Sequence, residues 1–211
     1  MEHHRREPLE VAILGFLMQG PLHGYDLHRR VEDELGRIWT IGLSNLYGAL
    51  KRLEKAGQIT CTLTPQESRP PRKVYTITPA GRDIFLDWVQ HPVPAMRKVR
   101  IEFLAKLYFH RTLNLEGTAA LIAAQEAICR ERIAWLEQSA AQCAPHDFAR
   151  LVFDFRRRQV QAILDWLAAC RQEADEADGG TSDIRADGVT SACATRPSRS
   201  QCSARSAARP R

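Results

Sequence analysis

The chain has 211 residues, 44% hydrophobic, long enough for one sizeable core or two modest ones, and the second arrangement is the expected one. No apolar run reaches the roughly 18 residues of a membrane span, and residues 1–8 are charged and His-rich with no signal-peptide segment behind them, so a cytoplasmic location is expected. Net charge of +5 with a pI near 9.0 hints at a polyanionic partner, while the six cysteines (61, 129, 143, 170, 193 and 202) form no Cys-x-x-Cys pair, which argues for reduced thiols over a zinc or redox site.

Pro8 precedes Leu9, Val11, Ala12, Leu14, Phe16 and Leu17, which predicts a helix apolar on most sides and ended by Gly20-Pro21. Residues 23–35 place Leu27, Val31 and Leu35 four apart, a second and amphipathic helix stopped at Gly36. A third helix is expected over residues 43–57, with Ser44 as its N-cap and Gly57 at its end. At about 100° per residue, Leu43, Leu46, Leu50 and Leu53 share one stripe, and Ser44, Gly48, Lys51 and Lys55 fall near the opposite side. Gly48 costs about 1 kcal/mol of helix stability relative to alanine, yet it leaves the outer face open to a bulky partner such as a DNA backbone. Taken alone, Lys51, Arg52 and Lys55 would read as a solvated face.

The next segment changes that reading. Residues 59–63 and 73–77 alternate apolar and polar side chains around a Pro-rich basic loop, a hairpin whose tip carries Arg69, Arg72 and Lys73 beside Pro70 and Pro71. Thr78-Pro79 reads as the cap and first residue of a fourth helix with Ile84, Phe85, Trp88 and Val89 on one face. Three helices, a two-stranded wing and a closing helix make a winged helix-turn-helix. From Lys51 to Lys73 six basic residues face only Glu54 and Glu67, and a basic helix beside a basic hairpin points to nucleic acid.

Three further helices are expected over residues 95–109, 115–138 and 145–176. Phe148, Leu151, Phe155, Ile163, Trp166 and Leu167 form a stripe on a helix too long for one small domain to cover, which predicts homodimerisation. Trp135 and Trp166 read as core in preference to an effector pocket. The expected fold is therefore mainly α with a small two-stranded β wing: a winged-helix domain at 1–92, antiparallel helices for dimerisation at 93–176, and a basic disordered tail at 177–211 with five arginines and no acid in its last sixteen residues.

His23-Gly24-Tyr25-Asp26-Leu27, Leu46-Tyr47 with Ala49-Leu50-Lys51-Arg52-Leu53-Glu54, Gly57, and Lys73-Val74-Tyr75 with Ile77-Thr78 and Gly81-Arg82 together resemble the PadR family, closely so over residues 8 to about 90. Residues 100–109 resemble the start of the C-terminal region of its longer members; Gly48 departs from the family, many of whose members carry proline near this position. The resemblance implies a homodimeric transcriptional repressor, in some members released by a small-molecule effector. Carried over position by position, it places the DNA-contacting side chains at Ser44, Asn45, Tyr47, Lys51 and Arg52 on the third helix and at Arg69, Arg72 and Lys73 on the wing. The partners it implies are double-stranded DNA and a second copy of the chain. Two-fold symmetry then predicts an inverted-repeat operator.

An enzyme is the competing class, but His-Glu-x-x-His, Gly-x-Ser-x-Gly and dinucleotide fingerprints are absent from the sequence, and Gly15 and Gly20 precede Pro21 where a phosphate loop needs lysine. No catalytic residue, metal or cofactor is expected. A winged-helix adaptor that binds protein is the other alternative; it would need an apolar recognition surface, against which Lys51, Arg52, Lys55 and the arginine wing argue.

Overall fold

A computed structural model describes residues 7–64 and 72–179, with side chains through residue 173. Helix α1 (Pro8–Leu17) starts on the proline whose fixed φ suits a first helical turn, and Val11 through Leu17 are all buried. A helix this apolar belongs at the centre, and α2 (Gly24–Leu35), α3 (Leu43–Lys55) and α4 (Pro79–Gln90) pack around it. At Gly15 a Cβ would sit 2.6 Å from the Phe109 ring and 2.7 Å from Phe85. Its absence lets these rings meet edge to face at 5.3 Å over α1, with Phe109 also edge-on to Phe16 at 5.4 Å.

Strands β2 (Ile59–Thr64) and β3 (Arg72–Ile77) pair antiparallel from Ile59↔Ile77 to Thr64↔Arg72. The two-stranded expectation needs correction: β1 (Leu22–His23) pairs with Tyr75 and Val74 on the other edge of β3, giving a three-stranded sheet of order β1-β3-β2. Two residues carry too little alternation to be read as a strand. Thr78 caps α4 as expected, its Oγ1 accepting from the Gly81 N–H at 3.1 Å and donating to the Gly57 carbonyl at 2.8 Å.

Beyond α4 the expected helix over residues 95–109 is broken into a helical turn, α5 (Met96–Lys98), a π-helical turn (Val99–Phe103), and α6 (Leu104–Thr112). Then come α7 (Thr118–Ala141) and α8 (Phe148–Gly179), each beginning three residues later than expected. Gly117, at φ 89°, holds a left-handed turn before α7, and the Asp147 side chain accepts from the Ala149 N–H at 2.9 Å to set the start of α8. The two long helices run antiparallel, since Glu126 meets Arg171 toward one end and Trp135 stacks on Phe153 toward the other. They close over a second core that includes Val93, Phe103, Leu121, Cys129, Leu136, Val160 and Leu167. Most of the tail expected at 177–211 lies outside the described residues.

Packing crosses the boundary expected between residues 92 and 93, because Phe109 of α6 belongs to the first core. Buried polar side chains reinforce that crossing. Lys106 Nζ donates to the carbonyls of Trp88 at 2.7 Å and His91 at 2.6 Å. The His110 Nε2 lies 3.2 Å from the Val89 carbonyl, which can only accept, so this nitrogen carries a proton, and Nδ1 pairs with the Thr118 hydroxyl at 3.2 Å. Gln125 brackets Val93, accepting from its N–H at 2.6 Å and donating to its carbonyl at 3.0 Å. Side chains of α6 and α7 thereby clamp the main chain that leaves α4. Burial holds the Lys106 ammonium down to about 8, against the attraction of Glu102 at 3.7 Å.

Among the described residues no helix is long and apolar enough to cross a membrane, and no group of three or more His, Cys, Asp or Glu is placed to hold a metal ion.

Candidate nucleic-acid interface

Helix α3 buries Leu46, Ala49, Leu50 and Leu53, and that stripe fixes which side chains face outward. Leu43, expected on the buried stripe, is instead 44% exposed at the first turn. The expected cap at Ser44 is also corrected: Gly42 is the N-cap, Ser44 lies inside the helix, and no side chain caps the first turn. With no acidic residue in that turn either, the N-terminal amides beside Ser44 and Asn45, both exposed, present positive dipole to solvent. Such an end suits a phosphate oxygen.

The turn that delivers α3 is held by His28, whose Nε2 lies 3.0 Å from the Ile41 carbonyl while Nδ1 lies 3.2 Å from Glu32 of the same helix. Gly24, at the first position of α2, is the other positioning residue. A Cβ there would fall 2.9 Å from the Tyr47 ring and 3.0 Å from its hydroxyl, so Tyr47 lies over the start of α2. The ring keeps 42% of its surface exposed, and Tyr25, the residue after Gly24, is 68% exposed. Neither His28 nor Gly24 was readable as a positioning residue; the glycine at the start of a helix was the available signal.

Lys51 is exposed and forms no ion pair among the described residues, whereas Arg52 donates from Nε to Glu10 Oε1 at 2.5 Å and so ties α3 to α1. Arg72 and Lys73 are exposed at the tip end of β3; Arg69 lies outside the described residues. Below them the wing is anchored by buried Ile59 and Tyr75, and burial, reinforced by Cys61 and Glu54, pushes the Tyr75 hydroxyl up to about 12. Gly48 leaves open space on the outer face, its added Cβ meeting only the end of Arg52 at 3.5 Å. Exposed amides, a lysine without a carboxylate partner and a basic wing form a surface able to neutralise phosphates, while Asn45 and Tyr47 can meet base edges.

The stripe expected to dimerise divides. Phe148, Leu151 and Phe155 stand 74%, 64% and 60% exposed on α8. Leu167, by contrast, is fully buried in the chain's own second core, Ile163 is half-buried against it, and Trp166 stacks edge-on to Phe103 at 6.3 Å. Leu167 is therefore unavailable to a partner as the chain stands.

Residues 13–86 match the transcriptional regulator PadR-like family, and residues 99–175 match the virulence activator alpha C-term family. The negative transcriptional regulator PadR of Bacillus subtilis is 36% identical over 113 residues, 54% of this chain and 62% of that protein. The probable transcriptional regulator Rv1176c of Mycobacterium tuberculosis is 33% identical over 89 residues, 42% of this chain and 47% of that protein. The matched stretch is thus less than two thirds of either relative's length. Among solved structures, Bacillus subtilis PadR in complex with operator DNA aligns with 81% of this chain and 99% of its own, at 28% identity and a TM-score of 0.43. The same protein in complex with p-coumaric acid aligns with 80% and 96%, at 28% identity and a TM-score of 0.36.

Proposed function

We propose that this chain, whose residues 13–86 match the PadR-like family of transcriptional regulators, is a sequence-specific DNA-binding repressor acting as a homodimer. The observation that carries the reading is the pairing of an α3 whose amides, Asn45, Tyr47 and Lys51 face solvent with a wing bearing Arg72 and Lys73. The basic groups and the amides of the first turn take the backbone, and Asn45 and Tyr47 supply the sequence-dependent part. Repression accords with the negative regulator among the relatives. The exposed Phe148, Leu151 and Phe155 supply the apolar surface for a second copy, and two-fold symmetry then sets two α3 helices into successive major grooves about 10 base pairs, or a multiple of that, apart. The operator is accordingly an inverted repeat, and a small-molecule effector that releases it belongs to the same reading.

Titration of the full chain against a duplex from upstream of its own coding region, at several salt concentrations, tests this. Lys51→Ala and Arg72→Ala should each weaken binding to every duplex and lower the slope of log K against log salt by about one. Asn45→Ala should lose specific affinity with little change in slope. A folded Lys51→Ala protein with unchanged affinity and salt dependence would falsify the placement of α3 on DNA.

A further inference from the structure

Arg52 stands where two features of α3 meet. Its Nε–H is committed to Glu10 of α1 at 2.5 Å, and it makes no other hydrogen bond among the described residues. At the other end of the same guanidinium, Nη1 lies 3.5 Å from the point where a Cβ on Gly48 would sit, and no other side chain comes near that point. Long side chains in a helix lean back over the preceding turn, which carries Arg52 toward Gly48 four residues earlier. At about 100° per residue, Asn45, Gly48 and Arg52 fall within about 60° of one another, one row of the outer face. The partners of the ion pair are unequally placed: Arg52 keeps 57% of its side-chain surface in solvent and Glu10 only 20%. The carboxylate thus sits behind and the guanidinium in front.

An ion pair this exposed adds little to stability, since it is screened by water and salt and immobilises a long side chain. What it supplies is direction. The guanidinium carries five N–H groups in a fixed plane, and commitment of Nε–H to Glu10 leaves the four on Nη1 and Nη2 aimed over the gap at Gly48. With no Cβ in that gap, an anion can approach α3 closely enough to meet them. A phosphate oxygen matches such a fork.

We propose that Glu10 is a positioning residue for DNA binding, holding Arg52 by its Nε so that Nη1 and Nη2 meet a backbone phosphate seated over Gly48. The proposal rests on the reading of α3 as the DNA-contacting helix and adds to it a residue of α1. A phosphate fixed over Gly48 sets the register of α3 along the duplex, one turn from Asn45, where base edges are met. Lys51 neutralises a phosphate as a mobile point charge, whereas Arg52 does so in one orientation. The consequence runs against simple electrostatics. A carboxylate beside DNA ordinarily repels it, so its removal would tighten binding; here its removal weakens binding, because the arginine loses its aim.

The full chain and its variants are titrated with the duplex from upstream of its own coding region and with a random-sequence duplex of the same length, at several salt concentrations. Arg52→Gln should weaken binding to both about tenfold and lower the slope of log K against log salt by about one. Glu10→Ala should weaken it roughly three- to fivefold, and Glu10→Gln less, because an amide oxygen of the same reach still accepts from Nε. In the Arg52→Gln background, Glu10→Ala should weaken binding no further, the mark of two side chains acting as a unit. Arg52→Lys should not restore the affinity, since an ammonium has no second edge with which to hold carboxylate and phosphate together. Melting temperatures should stay close to that of the unsubstituted protein. Tighter binding in both Glu10 variants would make the carboxylate a simple repeller of DNA and overturn the proposal. Full affinity in Arg52→Lys overturns it as well. So does a lowered melting temperature in Glu10→Ala and Arg52→Gln with an unchanged salt slope, which would leave the pair a tether between α1 and α3. Should Lys51→Ala weaken binding while Arg52→Gln does not, this proposal fails and the regulator reading stands; failure of the unsubstituted chain to bind either duplex overturns both.

Discussion

Replacing Gln125 by methionine removes the bracket on Val93 while nearly preserving side-chain length and volume. Gln125 is 0% exposed and Val93 1%, so water does not replace the two lost bonds. The variant leaves one N–H and one carbonyl buried without partners, formerly satisfied at 2.6 and 3.0 Å. Each such group costs about 1–3 kcal/mol, partly offset because a thioether is easier to bury than an amide, so a net loss of about 2–4 kcal/mol is expected. Urea denaturation of the full chain gives the number, with an unchanged m-value showing that the folded and unfolded states keep their exposed area. Hydrogen exchange at the Val93 amide should accelerate in parallel, since its acceptor is gone. A loss below about 1 kcal/mol together with unchanged Val93 protection would refute the idea that this side chain secures the connector.

Three other outcomes follow from the same geometry. Gly24→Ala should displace Tyr47, whose ring lies 2.9 Å from the new Cβ, and reduce operator affinity severalfold with little change in melting temperature; unchanged affinity would show that the ring position is irrelevant to DNA. Leu151→Asp with Phe155→Asp, at side chains exposed in the single chain, should convert a dimer to a monomer in sedimentation equilibrium without unfolding it, and a persistent dimer would place the interface elsewhere. Lys106 is held at about 8, below its ordinary 10.5, so the unfolded chain holds the proton that the folded chain loses, and this group's stabilisation is complete above 10.5 and lost as pH falls through 8. Lys106→Met should therefore fall further behind the unsubstituted protein as pH rises from 8 to 10.5, a difference in which the opposing titrations of Cys129, Cys170 and Tyr75 largely cancel; a constant gap would contradict it.

Apolar periodicity made the winged helix legible. Leu27, Val31 and Leu35, like Leu46, Leu50 and Leu53, are buried where a helical stripe puts them, and Thr78 caps α4 through the side-chain bond its position implied. The long α8 was harder because periodicity drifts over many turns. At about 100° per residue Leu167 falls roughly 100° around the helix from Phe148, so one list of apolar residues held both an inward and an outward face. The polar interior was not legible at all. Lys106, His110, Gln125 and Glu126 are residue types that ordinarily read as surface, and burying them depends on carbonyls and arginines brought near only by the tertiary fold. At the candidate interface, charge and order of elements pointed to Lys51, Arg72 and Lys73, which stand exposed, but pairing of Arg52 with Glu10 across 42 positions had no local signature.

The clamp explains how the winged-helix half and the helical half can be held as one body. Trp88 and Val89 lie in the last turn of α4, where helix carbonyls have no partner within the helix; besides the His91 N–H on Trp88, the donors to these carbonyls come from Lys106 and His110 on α6. The C-terminal region thus completes the end of a winged-helix element through side-chain donors on main-chain carbonyls, bonds insensitive to the side chains on α4 and sensitive to sub-ångström displacement. Sliding α6 along α4 would unmake several of these bonds together, in a region too dry for water to replace them singly. An arrangement of that kind changes in steps and not by gradual drift, so the presentation of α3 relative to the C-terminal helices can alter only by selecting a second complete set of partners for these carbonyls.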